Sequence, residues 1–417
     1  MSDKRKGGGG RTQGPRVVAA RILQQVLSGR SLAALFPEYL ESVVPSDRAL
    51  TKELCFGTIR WWFRLDAILA QLLKRPLKPK DGDIRSLMMI GLYQLLYTRI
   101  SDHVAVAESV EAVRALKKPW AAGVVNGVLR SFQRQRETLL EQADRRPDAR
   151  FSLPPWLLEN LRGAWPEHWQ QIARAGVERP PMSLRVNCAR ISRPDYLEML
   201  REKGIAALPI TATPTGLVLE QPMAAPELPG FEAGLISVQD GGAQLAASLL
   251  DLEPGMRVLD ACAAPGGKSC HIMESAPERT RLVAVDKDPK RLARVSENLS
   301  RLDLDAKVMT GDVSRMEGEW ASQEYDRILL DVPCSATGVL RRHPDIKLLR
   351  RPEDIASLIR TQRGIMDSVW ALLKPGGRLV YATCSVLPGE NEQQIARFLD
   401  VHSDSRELLT GDPGGTG

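Results

Sequence analysis

Two cysteines in the last third of the chain have the type and spacing that covalent catalysis needs. Cys334 closes the sequence Asp331-Val-Pro-Cys334, and Cys384 is the centre of Thr383-Cys-Ser385. Each motif follows an apolar run typical of a buried strand, and the ends of neighbouring parallel strands open into one crevice. A thiolate is an effective nucleophile once its pKa is lowered. We therefore predict that one member of this catalytic pair adds to a substrate and that the other assists its release.

The remaining cysteines are predicted to be small core residues, which is also the alternative for the catalytic pair. Cys262 and Cys270 flank a glycine-rich turn and fall in this class. His271 and His343 are likewise predicted to be structural. Because the sequence has no Cys-x-x-Cys pair, we expect no metal site.

A glycine-rich turn follows the short apolar stretch Arg257–Leu259. Glycines lack a Cβ, so a ligand can lie against the backbone there, and the free amides of a following helix favour a carboxylate. The turn differs from the dinucleotide pattern Gly-x-Gly-x-x-Gly. The predicted ligand-binding residues of this turn are Ala263, Ala264, Pro265, Gly266, Gly267, Lys268 and Ser269.

Three acids follow the next three predicted strands. Asp286 is placed to accept hydrogen bonds from ribose hydroxyls, Asp312 to meet an adenine amino group, and Asp331 follows the fourth strand. Acids and a glycine turn at four successive strand ends indicate a nucleoside ligand. Both NAD and S-adenosylmethionine fit the second-strand acid, and the motifs of the later strands favour S-adenosylmethionine.

The elements that position these residues are predicted from periodicity. From Pro254 onward, five apolar strands alternate with helices, which is typical of a doubly wound, Rossmann-like parallel sheet. A small α+β segment precedes it, and the chain before that is all helical, with one helix predicted from Arg48 to Leu73. The predicted divisions are a flexible basic tail (1–15), a helical domain (16–140), a charged linker (137–150) that overlaps its end, a small α+β domain (151–234), the α/β domain (235–405) and a disordered tail (406–417).

Positive charge is concentrated in the helical part. The chain carries 57 Lys and Arg against 51 Asp and Glu, a net charge of +6, whereas Arg60 to Arg136 alone hold 14 against 6. A basic helical region indicates a phosphate backbone as partner, with a solvated basic face as the alternative. Arg60 and Arg64 flank three aromatic residues, a pattern suited to base stacking, and are the predicted RNA-binding residues.

The sequence does not indicate a membrane protein or a secreted protein. The sequence has no apolar run of about 18 residues, and its N-terminus is basic and glycine-rich rather than a signal peptide. We expect a cytoplasmic protein with reduced thiols.

The motifs Ala263-Ala-Pro-Gly-Gly-Lys268, Asp331-x-Pro-Cys334 and Thr383-Cys-Ser385 together resemble those of RNA cytosine-5 methyltransferases. The resemblance implies S-adenosylmethionine as methyl donor and Cys384 as the nucleophile that adds to cytosine C6. It assigns Cys334 to product release, and Lys268 and Asp331 to the pocket of the cofactor and base.

The helical region narrows the resemblance. Residues 16–136, with Gly57-Thr-Ile-Arg60 and Val124-Val-Asn-Gly-Val-Leu-Arg130, are similar to the NusB-like RNA-binding domain of one branch of that family. This branch modifies a cytosine of 16S rRNA, so the resemblance implies 16S rRNA as partner, either free or in an early small-subunit particle. We expect a monomer.

The C-terminus departs from the family pattern. The family ends in an aromatic-rich strand with Asp-Gly-Phe-Phe, whereas this chain ends at Leu408-Leu-Thr-Gly-Asp-Pro-Gly-Gly-Thr-Gly417. The predicted sheet therefore lacks its last two strands, which leaves the fifth strand as an exposed edge.

Three other functions stay open. The catalytic motifs do not specify the RNA, so a tRNA cytosine-5 methyltransferase is one. Methylation of an adenine amino group would favour an aromatic residue where Cys334 stands. An RNA-binding protein with a degenerate catalytic domain would be expected to lose Gly266, Gly267, Asp286 or Cys384, and all four are present.

Overall fold

The computed structural model describes residues 12–276 and 278–408, and the chain divides into two compact units. The helical unit comprises the chain up to Arg179 together with Ala336–Pro352, and the α/β unit comprises Pro180–Ser335 and the chain from Glu353. Most of the predicted basic tail and residues 409–417 of the predicted C-terminal tail lie outside the described residues. The predicted domain limits stay a prediction.

The helical unit is built around a nearly enclosed helix. Between Asp83 and Leu95 every side chain except that of Arg85 is buried, because a helix that is apolar on most sides needs neighbours all round. The helices before residue 180 are α1 (Pro15–Leu27), α2 (Leu32–Leu40), α3 (Pro45–Arg60), α4 (Trp62–Leu72), α5 (Gly82–Tyr97), α6 (Asp102–Ala115), α7 (Ala122–Arg134), α8 (Arg136–Asp144), α9 (Pro147–Arg150), α10 (Pro155–Ala164) and α11 (Trp169–Ala175).

Two predictions for this unit are wrong. Residues 137–150, predicted as a linker, form most of α8 and α9 because Leu139, Ala143 and Ala149 are buried in the helical core. The continuous helix predicted from Arg48 to Leu73 is broken at Trp61, whose ring stacks on that of Tyr97 at 4.6 Å between centroids. In both places a tertiary contact outweighs the local pattern of charge or periodicity.

The α/β unit begins with a small antiparallel sheet. Its strands are β1 (Met182–Val186), β2 (Ala207–Pro209), β3 (Gly216–Leu219) and β4 (Ile236–Val238), in the order β2-β3-β1-β4, with α12 (Arg193–Glu202) and α13 (Gly241–Leu249). The α+β class predicted for this segment is confirmed.

A five-stranded parallel sheet follows in the order β7-β6-β5-β8-β9, which confirms the doubly wound prediction. The strand order reverses beside β5, and ligands of open α/β sheets bind at such a reversal. The elements are β5 (Arg257–Asp260), α14 (Gly267–Ser275), β6 (Arg281–Asp286), α15 (Pro289–Leu302), β7 (Lys307–Thr310), β8 (Tyr325–Asp331), α16 (Ile346–Leu349, in the helical unit), α17 (Pro352–Trp370), β9 (Leu373–Ala382) and α18 (Glu392–Val401).

Strand β9 is the outer strand of this sheet. In the described part of the chain no strand follows it, so it is the edge that the sequence predicted. No described helix is long and apolar enough to span a membrane.

Candidate active site

The catalytic pair is brought together by the pairing of β8 with β9. These strands are parallel neighbours, with Asp331 opposite Ala382 at their carboxyl ends. The Sγ atoms of Cys334 and Cys384 are 3.2 Å apart, and the backbone N–H of Cys384 donates to Cys334 Sγ at 3.4 Å. Cys384 is exposed and Cys334 is buried, so only Cys384 presents its side chain to an incoming substrate.

The protonation state of Cys384 differs from the sequence-based expectation. The hydrogen bond with Cys334 and then partial desolvation of the sulfur raise the pKa of the Cys384 thiol above its ordinary value, while the charge of Lys268 acts in the opposite direction. The sequence led us to expect a nucleophile whose pKa is lowered. In this arrangement the pKa of the Cys384 thiol is raised instead. Cys384 is a thiol at neutral pH here, and its proton has to leave as the reaction begins.

An ion pair lies beside the two thiols. Lys268 Nζ, in the first turn of α14, donates to Asp331 Oδ2 at the end of β8. Both charges act on the pKa of Cys384. The glycine turn and the β8 motif, predicted separately, are thus joined at one site.

The two glycines of the turn have different roles. Gly266 has φ +97°, and a Cβ there would lie 2.9 Å from the Cα of Val295, so this glycine is needed for packing against α15. A Cβ on Gly267 would meet only Gln239 Nε2, at 3.7 Å. Gly267 therefore leaves an accessible stretch of backbone, which is the property expected of a ligand-binding turn.

The predicted ribose acid holds the turn in place. Asp286 is buried; its Oδ2 accepts from the N–H of Ala264 at 3.1 Å and its Oδ1 from that of Asp288 at 3.0 Å. Asp312 accepts from the N–H and the hydroxyl of Ser314, and these bonds hold its pKa below the ordinary value. Asp312 is therefore an anion at neutral pH.

Asp260, at the end of β5, is a site residue that the sequence analysis missed. Its Oδ2 accepts from the hydroxyl of Ser269 at 2.6 Å, so the predicted ligand-binding side chain of Ser269 is instead buried against this carboxyl group. The other oxygen, Oδ1, is buried without a hydrogen-bond partner, and burial raises the pKa of Asp260 to about 7. The sequence signal that could have identified Asp260 is its position at the end of a predicted strand, directly before the glycine-rich turn.

Arg185 of β1 is the second missed residue. Its buried guanidinium makes a bidentate pair with Glu274 of α14 at 2.6 and 2.7 Å and donates to the carbonyl of Gly267 at 2.7 Å. A forked donor of this kind fixes both position and orientation. The small sheet thereby supports the glycine turn, a contact that no local sequence pattern shows.

The histidine and cysteine predicted to be structural beside the turn are both buried. Burial lowers the pKa of His271 to about 3 and raises that of Cys270 to about 12. Neither group ionises near neutral pH. Within residues 12–276 and 278–408, no three His, Cys, Asp or Glu side chains are grouped to hold a metal ion.

Family models match three parts of the chain. Residues 247–414 match the family model described as 16S rRNA methyltransferase RsmB/F, residues 13–134 match the NusB family, and residues 153–225 match the ferredoxin-like domain of RsmF/B-like methyltransferases. The ribosomal RNA small subunit methyltransferase B of Pseudomonas syringae pv. tomato is 50% identical over 395 residues, which is 94% of this chain and 88% of that protein.

The chain belongs to the RsmB/F family of 16S rRNA methyltransferases. The protein of the same name from Yersinia enterocolitica is 50% identical over 398 residues, covering 95% of this chain and 92% of its own length. A crystal structure of a methyltransferase homolog from Pyrococcus horikoshii has a TM-score of 0.53 and 31% identity, over 61% of this chain and 80% of that one. The chain is thus an RNA methyltransferase with NusB-like, ferredoxin-like and methyltransferase parts.

The NusB-like unit of this methyltransferase does not present Arg60 to solvent, and the RNA-binding prediction for it is corrected. Arg60 is 7% exposed, and its Nη2 donates to the carbonyl of Arg341 at 2.7 Å. The buried Lys347 donates to the carbonyl of Arg60 and, at 2.8 Å, to that of Ser152. These side chains satisfy buried backbone carbonyls and hold residues 336–352 within the helical unit.

Arg64 is also engaged inside the helical unit. Its guanidinium pairs with Asp144 at 2.5 Å, donates to Tyr97 Oη at 3.0 Å and lies over the ring of Trp61. The side chain is only 18% exposed. A contact with RNA phosphate would have to replace these interactions, so the structure gives Arg64 a role in packing.

Exposed positive charge lies elsewhere, in the segment 74–80, which we call the basic loop. Lys74, Arg75, Lys78 and Lys80 are all exposed. Lys118 Nζ donates to the carbonyl of Lys80 at 2.8 Å and thereby joins the basic loop to the turn before α7. Trp120, in that turn, is 55% exposed. Exposed cations linked through Lys118 to a turn that carries an exposed aromatic ring suit a single-stranded nucleic acid.

Proposed function

We propose that this methyltransferase transfers a methyl group from S-adenosylmethionine to C5 of a cytosine in 16S rRNA, through a covalent bond between Cys384 and C6. The observation that carries the proposal is the 3.2 Å approach of two cysteine sulfurs at neighbouring strand ends, beside the Lys268–Asp331 pair. The description of the family and the names of the relatives support 16S rRNA as the substrate.

The residues at the strand ends fit the proposed methyl donor. Gly267 offers open backbone, Asp260 has a buried carboxyl oxygen that lacks a partner, and Asp286 and Asp312 supply carboxylates at the ends of β6 and β7. S-adenosylmethionine would supply an electrophilic methyl group on a sulfonium. The proposed binding residues are Ala263, Ala264, Pro265, Gly266, Gly267, Lys268, Ser269, Asp286, Asp312 and Asp331, with Ser269 acting through Asp260.

The first proposed step is addition. Cytosine C5 is too weak a nucleophile to take the methyl group unaided. The sulfur of Cys384 forms a bond to C6 as its proton leaves, and the C5–C6 π electrons become available at C5. The Asp331 carboxylate accepts the proton of Cys384 and passes it to N3, so one proton moves from the thiol to the base and Asp331 ends the step as a carboxylate. Lys268 orients the Asp331 carboxylate for this transfer.

The second proposed step is release. After C5 has taken the methyl group it carries both the methyl and a hydrogen. A base removes the C5 proton, the C5–C6 double bond re-forms, and the bond from C6 to the sulfur of Cys384 breaks. The proton held on N3 returns through Asp331 to the departing sulfur, so the thiol and a neutral 5-methylcytosine are restored. The 3.2 Å distance between the sulfurs of Cys334 and Cys384 supports a role for Cys334 in this elimination.

The test is identification of the methylated product. The protein is incubated with labelled S-adenosylmethionine and unmodified 16S rRNA, with tRNA transcripts in a parallel reaction. We expect 5-methylcytidine at one position of the 16S rRNA, located by bisulfite sequencing. Methylation of tRNA alone would transfer the proposal to that substrate, and N6-methyladenosine as product would exclude the cytosine mechanism.

A further inference from the structure

The carboxylate of Glu390 is fully buried beside the catalytic pair, and the mechanism above does not use it. It closes a short turn, Pro388–Glu390, between β9 and α18. In the part of the chain that the structure describes, no Lys, Arg or His side chain pairs with it. Burying a carboxylate without a counter-charge is costly unless hydrogen bonds replace its hydration.

Four hydrogen bonds replace that hydration. Oε1 accepts from the N–H of Ser335 at 2.8 Å and from Gln362 Nε2 at 2.9 Å. Oε2 accepts from the hydroxyls of Ser335 and Ser385, each at 2.5 Å. A carboxylate offers about four acceptor positions, so these donors use its full capacity.

The two serines connect Glu390 to both catalytic cysteines. Ser335 directly follows Cys334, and Ser385 directly follows Cys384. One carboxylate therefore clamps the two backbone segments that carry the reacting sulfurs. The clamp is itself held, because Tyr381 Oη donates to the carbonyl of Glu390 at 2.8 Å and Gln362 Nε2 also lies 3.1 Å from the carbonyl of Pro333.

The neighbouring Asn391 braces only one side of the site. Its Oδ1 accepts from the hydroxyl of Thr383 at 2.6 Å, and its Nδ2 donates to the carbonyl of Ser385 at 3.1 Å. These contacts shape the loop around Cys384 alone. Glu390 is different because its hydrogen bonds reach the residues after both cysteines.

We propose that Glu390 is a positioning residue that sets the separation and direction of the Cys334 and Cys384 sulfurs for adduct formation and release. The kinetic part of this inference rests on the proposed function, and the geometric part does not. Glutamine at this position would keep the size of the side chain but would replace one acceptor oxygen with an N–H donor group, so two of the four donors would lose their acceptor.

The first experiment measures positioning without substrate. The full chain and E390Q are treated with diamide, which accepts the two electrons and two protons released when the thiols of Cys334 and Cys384 form a disulfide. Peptide mapping gives the rate for this pair. We expect E390Q to slow the reaction at least several-fold. The matched control is E392Q, the same change at an exposed residue of α18, which should react at the wild-type rate.

The second experiment measures methyl transfer. A misplacement of about 1 Å can cost on the order of a hundredfold in rate, so we expect a kcat loss of this order for E390Q with little change in KM for S-adenosylmethionine. Glu390→Asp, which keeps the carboxylate, should recover part of the loss. RNA with 5-fluorocytidine at the target, whose C5 substituent cannot leave as a proton, should accumulate adduct more slowly with E390Q.

The outcomes distinguish the positioning role of Glu390 from the proposed methylation of cytosine. Wild-type disulfide and methylation rates in E390Q would overturn the positioning role. A slow disulfide in a chain whose wild-type form methylates no cytosine would retain the geometric inference and remove the proposed function. If E390Q does not fold, the double variant Ser335→Ala with Ser385→Ala tests the same clamp, and unchanged disulfide and methylation rates in it would overturn the proposal.

Discussion

The α/β unit and the helical unit use their charged and reactive side chains in opposite ways. In the α/β unit, residues predicted from strand-end motifs lie together, as the 3.2 Å contact of the catalytic pair shows. In the helical unit, Arg60 and Arg64 were predicted to face RNA, and both are bonded to protein groups instead. The strand order of a parallel sheet determines where its strand ends lie. A cationic side chain on a helix can instead face solvent, bind a partner or donate to a buried carbonyl group.

The first way to test this contrast is to remove the nucleophile. Cys384→Ala should abolish methyl transfer, because among the described residues no other exposed thiol lies at the strand ends of the parallel sheet, while S-adenosylmethionine binding stays at the wild-type affinity. Labelled methyl incorporation and calorimetric titration measure the two properties. Cys188→Ala, at an exposed cysteine of the small sheet segment, is the control and should be fully active. Wild-type turnover by Cys384→Ala would remove the covalent mechanism.

Removal of the partner thiol should have a different signature. Cys334→Ala should accumulate a covalent complex of protein and RNA, because addition still occurs while elimination is slowed. A shifted band on a denaturing gel measures it. The same variant should raise the reactivity of Cys384 toward iodoacetamide at neutral pH, since the bond to Cys334 is the largest cause of its raised pKa. Complete absence of the shifted band would withdraw Cys334 from the release step.

In the helical unit, the corrected residue should affect stability more than RNA binding. Arg60→Ala removes the donor to Arg341 and should lower the free energy of unfolding by about 2 kcal/mol, the usual range for a hydrogen bond to a charged group. Denaturant unfolding measures this loss. The salt dependence of RNA binding should stay at the wild-type value. A reduced salt slope with unchanged stability would restore the original RNA-binding prediction.

The smallest effect is expected from the basic loop. Alanine at Lys74, Arg75, Lys78 and Lys80 should weaken binding of unmodified 16S rRNA and flatten its dependence on salt by about 0.7 per lost phosphate contact. Surface changes of this kind usually alter stability by only about 0.5 kcal/mol. Filter binding from low to high salt measures the slope. An unchanged slope would leave these exposed cations as a solvated face.

The sequence by itself was sufficient to predict the parallel sheet, the α+β segment, the helical N-terminus and the pairing of Cys334 with Cys384. These predictions depend on the periodicity of apolar residues and on the order in which strands and helices follow one another. Both can be taken directly from the sequence. The sequence also predicted the glycine turn but gave both glycines the same role. In the structure Gly266 is needed for packing against α15, and Gly267 leaves the open backbone.

Only the tertiary structure decided how individual side chains are used. The raised pKa of Cys384, the burial of Arg60 and the helices of residues 137–150 all depend on partners far away in sequence. The clamp of Glu390 on Ser335 joins residues 55 positions apart. Hydrogen bonding and desolvation change over a few ångströms, and such distances are set by packing, which a pattern of residue types does not contain.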